Sequence, residues 1–215
     1  MKEYISKENY ISKSYEILCS EGIGALTIRR LANDLKCNSA NLYRYFNGLD
    51  ELLLYASLKH FKSYLEEVRA LFSSVSDSLQ LHFAVWDCFS HHTFLQPEIF
   101  NNLFWGRHSD RLDSIVRDYY TIFPEELIGM DEYMRELFLS GDFDHRDYLM
   151  LMRSVKEGIF NEQQAAFLNT VTMNLYRGFL KELLDHPDTR DPEAARHSFL
   201  NCLHKIFELQ LKCNQ

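Results

Sequence analysis

Seven consecutive residues, Ser39-Ala40-Asn41-Leu42-Tyr43-Arg44-Tyr45, set a hydroxyl, an amide, a guanidinium and two phenols around one leucine. Such groups can read or grip nucleic acid. An Asn amide can bond adenine in bidentate fashion, an Arg guanidinium can do so with guanine, and Tyr hydroxyls can take phosphate oxygens. They act together only if a short helix presents them on one side, and the flanking residues supply it. Asn38 can cap a helix starting at Ser39, and Leu42 and Phe46, four apart, give that helix an inward face. Upstream, Thr27 can cap a helix running to about Leu35, with Ile28, Leu31, Ala32 and Leu35 at i, i+3, i+4 and i+7. Only Lys36 and Cys37 remain for the corner, the length expected where two helices cross in a helix-turn-helix, and Ala32 is small enough for close approach. The pattern reads as DNA binding; a solvated face on any small helical hairpin would look similar.

With these residues in view, the stretch from about Lys7 to Phe61 resembles the tetracycline-repressor-like (TetR) family of bacterial transcription regulators. The resemblance is carried by a first helix ending at Gly22, Leu26-Thr27, Leu31-Ala32, the corner, Leu42-Tyr43, Tyr45-Phe46, and a helix opening with Asp50-Glu51-Leu52-Leu53. It implies that Thr27 and Tyr43 hold phosphates and that Arg29 touches the groove edge. Ser39, Ala40, Asn41, Arg44 and Tyr45 then form the reading surface, with the cap Asn38 beside them. Three positions depart from the family pattern. Lys36 stands where Gly is usual, at a helix C-terminus that favours a left-handed residue, so the corner is expected to be strained or differently shaped. Leu49 replaces a Lys or Arg that usually meets the DNA backbone. Asn38 replaces the common Ser, an equivalent cap worth about 1 kcal/mol either way.

The resemblance implies an all-α chain: residues 1–50 as a DNA-binding domain of three helices plus a linking helix, and residues 51–215 as a larger helical domain for ligand binding and dimerisation. Helical periodicity supports this, since almost nothing after Asp50 reads as a strand. Leu54, Leu58, Phe61, Leu65, Val68 and Phe72 predict one long helix from Asp50 to about Phe72, a natural lever. Ser76 or Asp77 restarts a helix, Pro97 begins another that ends at Gly106, and further helices fall around 111–123, 130–139 and 146–157. The last two are capped by Asn161 and Asp191 and run to about Leu184 and Leu211. On the first, Leu168, Val171, Leu175 and Phe179 form one apolar row, and Met173, Tyr176, Leu180 and Leu184 another. On the second, Phe199, Cys202, Ile206 and Leu209 continue a stripe from Ala195. These helices could simply complete a monomer core. The resemblance instead implies a homodimer through a four-helix bundle, with Leu168, Val171, Leu175, Phe179, Phe199, Cys202, Ile206 and Leu209 at the interface and two reading helices on a palindromic operator.

Composition bounds the rest. The formal charge of −8 is uneven: residues 1–50 hold 7 Lys+Arg against 6 Asp+Glu, and residues 51–215 hold 16 against 25. Arg29, Arg30 and Arg44 cluster near the proposed contact face, but this is a weak electrostatic footprint, and a shallow salt dependence of DNA binding is expected. No charge-free apolar run approaches ~18 residues and no secretory leader is seen, so a cytoplasmic protein without membrane attachment is expected. Cys19, Cys37, Cys88, Cys202 and Cys213 are odd in number and lack metal-ligand spacing. His91-His92 with His82 share no i, i+4 pair, so no metal site is expected. Nor is catalysis or a cofactor: there is no Gly-rich phosphate loop, no Ser nucleophile between glycines and no His-Glu-x-x-His.

Residues 83–123 are crowded with large rings, which in helical domains mostly build core. The resemblance implies an inducer cavity between helices, with Trp86, Phe89, Phe104, Trp105, His108, Tyr120, Asn174 and Arg177 as candidate lining for a flat or greasy small molecule. The expected function is a sequence-specific DNA-binding transcriptional regulator, a repressor released by an unidentified effector. The alternatives are a ligand-independent architectural DNA binder and, more remotely, a helical enzyme or carrier.

Overall fold

A computed structural model describes residues 5–212; Cys213 lies outside them. Among the described residues there are eleven α-helices and no strand. Among the described residues, no helix is long and apolar enough to cross a membrane. The chain divides into two compact units, one of residues up to Lys62 with Glu98–Gly129, the other of Ser63–Pro97 with Met130 onward.

The first unit begins with α1 (Lys7–Glu21), started by a reciprocal capping box between Ser6 and Asn9 and stopped by Gly22 at φ 78°. Helix α2 (Ile28–Asp34) starts where Thr27 Oγ1 accepts the Arg30 N–H at 3.2 Å. At its end, Cys37 N–H bonds Ala32 O at 2.9 Å and Lys36 N–H bonds Asn33 O at 3.1 Å. This is a Schellman closure with Lys36 as its left-handed residue, φ 51°. The corner therefore keeps the shape that glycine would favour, and Lys36 carries the strain. The second helix of the pair is a six-residue 3-10 turn, Ser39–Arg44, rather than an α-helix. Its Asn41 N–H reaches back three residues to Asn38 O and Tyr45 N–H to Leu42 O, while the Asn38 side chain accepts from Ala40 N–H. Between a cap at 38 and the buried anchors Leu42 and Phe46, the segment winds tightly.

Helix α3 (Leu49–Leu58) starts after Gly48, whose φ is 136°. Glu51 reaches back to accept the Asn47 N–H at 2.5 Å. The long lever expected from Asp50 to Phe72 is broken. Helix α3 ends at Leu58, His60 N–H bonds Ser57 O, and α4 (Phe61–Ser74) starts afresh. The break lets two adjacent rings turn inward, His60 against Tyr15 and Phe61 against Phe100. A continuous helix would place neighbours about 100° apart and expose one of them. Helix α7 (Leu112–Ile122), unexpectedly, packs on α3.

The second unit holds α5 (Ser78–Phe94), α8 (Glu132–Leu139), α9 (Phe143–Lys156), α10 (Glu162–Asp185) and α11 (Pro192–Lys212). Helix α6 (Pro97–Trp105) follows α5 and, from Glu98 onward, belongs to the first unit. Asp77, Asp131, Asp142 and Asn161 cap their helices through side-chain oxygens, and Asp191 accepts from Ala194 N–H before α11. Helix α5 packs on α9 and α11, and α10 packs on the same two.

Candidate nucleic-acid interface

Tyr10, Ile11, Leu31, Leu42 and Phe46 are almost fully buried and clamp α1, α2 and the 3-10 turn together. That core leaves a defined outer face. Arg29, Asn38, Ser39, Ala40, Tyr43 and Arg44 are exposed, Tyr43 by 61%, together with Thr27 at the start of α2; Asn41 is half-buried. The caps remain chemically available. Thr27 accepts with its oxygen and keeps a hydroxyl hydrogen to donate, and Asn38 accepts with Oδ1 and keeps its amide hydrogens. Tyr45 does not share this face. It is half-buried, its hydroxyl donates to Ile5 O at 2.9 Å, and its ring lies against Tyr10 and Phe46. The hydrophobic anchor claimed it because the tight turn rotates position 45 toward α1. Arg30 is also withdrawn: Glu21 accepts from both terminal guanidinium nitrogens and Asp34 lies 3.6 Å from Nε. The arginines exposed on this face are Arg29 and Arg44.

The face is held from behind by charge as well as packing. Lys7 Nζ donates to Tyr55 Oη at 3.0 Å and to Asp118 Oδ2 at 2.5 Å, and Tyr55 Oη donates to the same oxygen at 2.8 Å. Burial works against the Asp118 charge, yet the Lys7 and Tyr55 hydrogen bonds hold its carboxyl below the usual range. Lys7 Nζ also sits 4.2 Å from the Tyr55 ring centre. Helices α1, α3 and α7 therefore share one polar knot. Deeper, Tyr119 donates to Glu126, whose carboxyl burial pushes up.

In the second unit a small cavity of about 30 Å³ is walled by Tyr64, Trp86, Phe89, Phe138 and Phe143, with Asp147 among its polar residues. Its volume is about that of one water molecule, far below the ~300–1,000 Å³ of small-molecule pockets. Asp147 is buried, and its Oδ1 accepts from His82 Nε2 and Trp86 Nε1, each at 2.7 Å. Of the candidate lining residues, Trp86 and Phe89 are in this wall. Phe104, Trp105, His108 and Tyr120 belong to the first unit, where Phe104 stacks near Phe100 and Tyr120 packs on Tyr119. Asn174 and Arg177 are exposed on α10, and the Asn174 amide donates to Thr170 O. Neither lies in the wall, because α10 turns Tyr176 and Leu180 inward instead.

The expected dimer row also divides. Leu168 and Phe199 are fully buried within the chain, Phe199 against Trp86, Phe94 and Tyr176, so they complete the unit's own core. Val171, Leu175, Phe179, Cys202 and Ile206 are half-exposed, and Leu209 is 62% exposed. Phe167, 49% exposed and four residues before Val171, joins this outer apolar stripe.

No protein-family model matches the sequence, and no curated protein does. Solved structures do match. A TetR-family transcriptional regulator from Bordetella parapertussis aligns over 92% of this chain and 93% of its own, with TM-score 0.50 and 14% identity. The TetR-family regulator PfmR from Thermus thermophilus aligns over 90% and 96%, with TM-score 0.50 and 16% identity. The fatty acid degradation regulator FadR from Bacillus halodurans aligns over 94% and 96%, with TM-score 0.52 and 12% identity. The fold is that of the TetR regulators.

Within this TetR fold, several residues escaped sequence reasoning. Phe167 was legible as a continuation of the Val171-Leu175 row. The partners Lys7, Tyr55 and Asp118 span 111 residues and leave no local signal. Cys88 and His92 stand at i, i+4 on α5, a visible spacing, but their neighbour Glu67 comes from α4.

Proposed function

We propose that the chain is a sequence-specific, DNA-binding transcriptional regulator that acts as a homodimer, a repressor released by a small molecule. The observation that carries the reading is the solvent face of Thr27, Arg29, Asn38, Ser39, Ala40, Asn41, Tyr43 and Arg44, held on a capped helix pair by a dry core. In this reading Thr27 and Tyr43 take phosphates, and Asn41 and Arg44 meet base edges. The outer apolar stripe of Phe167, Val171, Cys202, Ile206 and Leu209 is the surface suited to a second copy, which would set two reading turns on a palindrome. The reading divides the chain into residues 1–50 for DNA and 51–215 for ligand and dimer, a functional division that differs from the compact units.

Selection of bound duplexes from a random library, with the Tyr43→Ala, Arg44→Ala double variant alongside, tests it. A palindromic consensus that the variant loses supports the reading; no enrichment by either protein sinks it.

One observation favours a second reading, a DNA binder that needs no effector: the aromatic cavity has room for about one water. An effector at this cavity would open it by repacking Trp86, Phe89 and Phe143. Thermal shifts across a metabolite and drug panel separate the two, since a ligand at a hundred times its Kd raises stability by about 2.7 kcal/mol.

A further inference from the structure

We propose that Glu67, Cys88 and His92 form a binding site for a divalent metal of the zinc class, with one coordination position left open. Cys88 and His92 lie one turn apart on α5, and Glu67 meets them from α4. Cys88 Sγ stands 3.3 Å from Glu67 Oε2, and His92 Nε2 stands 3.1 Å from Glu67 Oε1. One ligand atom from each of the three residues can be chosen with all separations within 4.8 Å. Zinc bonds of about 2.3 Å to sulfur and 2.0 Å to nitrogen or oxygen give tetrahedral edges of roughly 3.3 to 3.5 Å. The Cys88–Glu67 edge is therefore already near the length a bound ion imposes, His92 meets the other oxygen of the same carboxylate, and closing the remaining edges needs side-chain rotation.

The chemistry selects the ion. A thiol and an imidazole with one carboxylate suit zinc or cobalt and disfavour magnesium or calcium, which take all-oxygen shells. Without metal, the Cys88 thiol hydrogen bridges Sγ to Glu67 Oε2 in a hydrogen bond. The ion takes the place of that proton as the bridge between the same two atoms. His92 is 17% exposed and its ring is braced edge-on by Tyr64, so its nitrogen is already oriented. Glu67, 56% exposed, leaves a route for entry. Three protein ligands leave a fourth position for water or a second ligand, as in exchangeable rather than structural sites. His82 and His91 stay outside the site: His82 is buried on Asp147, and His91 faces Glu193. The site does not depend on whether the chain binds DNA.

Full-length protein stripped by a chelator is titrated with Co2+ by absorbance and with Zn2+ by calorimetry. One Co2+ per chain is expected, with a near-ultraviolet thiolate-to-cobalt band and the intense visible bands of four-coordinate cobalt, both bleached by Zn2+. Cys88→Ser abolishes the thiolate band. His92→Gln and Glu67→Gln each weaken Zn2+ binding at least tenfold. Circular dichroism checks that each variant keeps its helices, and all three positions are at least partly exposed. No cobalt band at saturation, or an undiminished thiolate band in Cys88→Ser, overturns the proposal.

Discussion

The corner around residues 27–45 and the ring belt at 83–123 differ in where their side chains end. In the corner, a small buried core of Leu31, Leu42 and Phe46 pushes polar groups and Tyr43 into solvent. In the belt, Trp86, Phe89, Phe94, Phe100, Tyr119, Tyr120 and Phe123 are all buried, and they divide between two units. Abundance of rings therefore says little about a binding site. What matters is which large or polar groups the core does not claim.

The comparison breaks most sharply through Trp86→Ala. Trp86 packs edge-on to Phe89, near Tyr176 and Phe199, and its indole N–H serves buried Asp147. Urea unfolding should show a loss of roughly 3–5 kcal/mol. A loss under about 1 kcal/mol would mean that the belt is loosely packed and ready for an occupant. Tyr43→Ala with Arg44→Ala should do the opposite. Stability stays within about 0.5 kcal/mol, while affinity for a selected duplex falls by roughly a hundredfold, the sum of contacts worth about 1–3 kcal/mol each.

Leu209→Glu places a charge on the outer stripe of α11 without touching the core. Sedimentation at micromolar concentration should show the shift from dimer to monomer, and an unchanged dimer would move the interface elsewhere. The pH response probes the first unit's own interior. Burial of His60 beside Tyr15 and Phe100 lowers its pKa from 6.5 to about 4, so the folded chain holds it neutral. The unfolded chain takes up the proton first, and this contribution to stability is lost as pH falls from 6.5 toward 4. Glu126, pushed up by burial, works in the opposite direction. The informative quantity is thus the difference between wild type and His60→Gln, whose melting temperature should fall less over that window. The smallest effect is Lys36→Gly. Relief of a left-handed lysine, about 1–2 kcal/mol, is partly offset by glycine's larger unfolded-state entropy. A rise of about 2 °C in Tm is expected, with DNA binding unchanged.

Legibility followed the range of the forces involved. The caps at Thr27, Asn38, Asn161 and Asp191 act over two or three residues and could be read directly, as could the helix ends at Gly22 and Gly106. The inward rows Leu31-Ala32 and Leu42-Phe46 follow from one helical turn. The long lever failed because periodicity was satisfied across Lys59 and His60 while tertiary contacts drew both His60 and Phe61 inward. Tyr45 failed for the same reason, its hydroxyl reaching Ile5, forty residues away.

By itself, then, the chain's order of residues determined an all-helical architecture, its caps, and the polar face of the corner, because those depend on hydrogen bonds and periodicity within a few residues. Tertiary structure alone decided which rings line a cavity and which apolar rows stay exposed. It also decided that Glu67 would meet Cys88 and His92. Each of these depends on which of several equivalent faces finds a partner far along the chain, and helical periodicity cannot rank such faces.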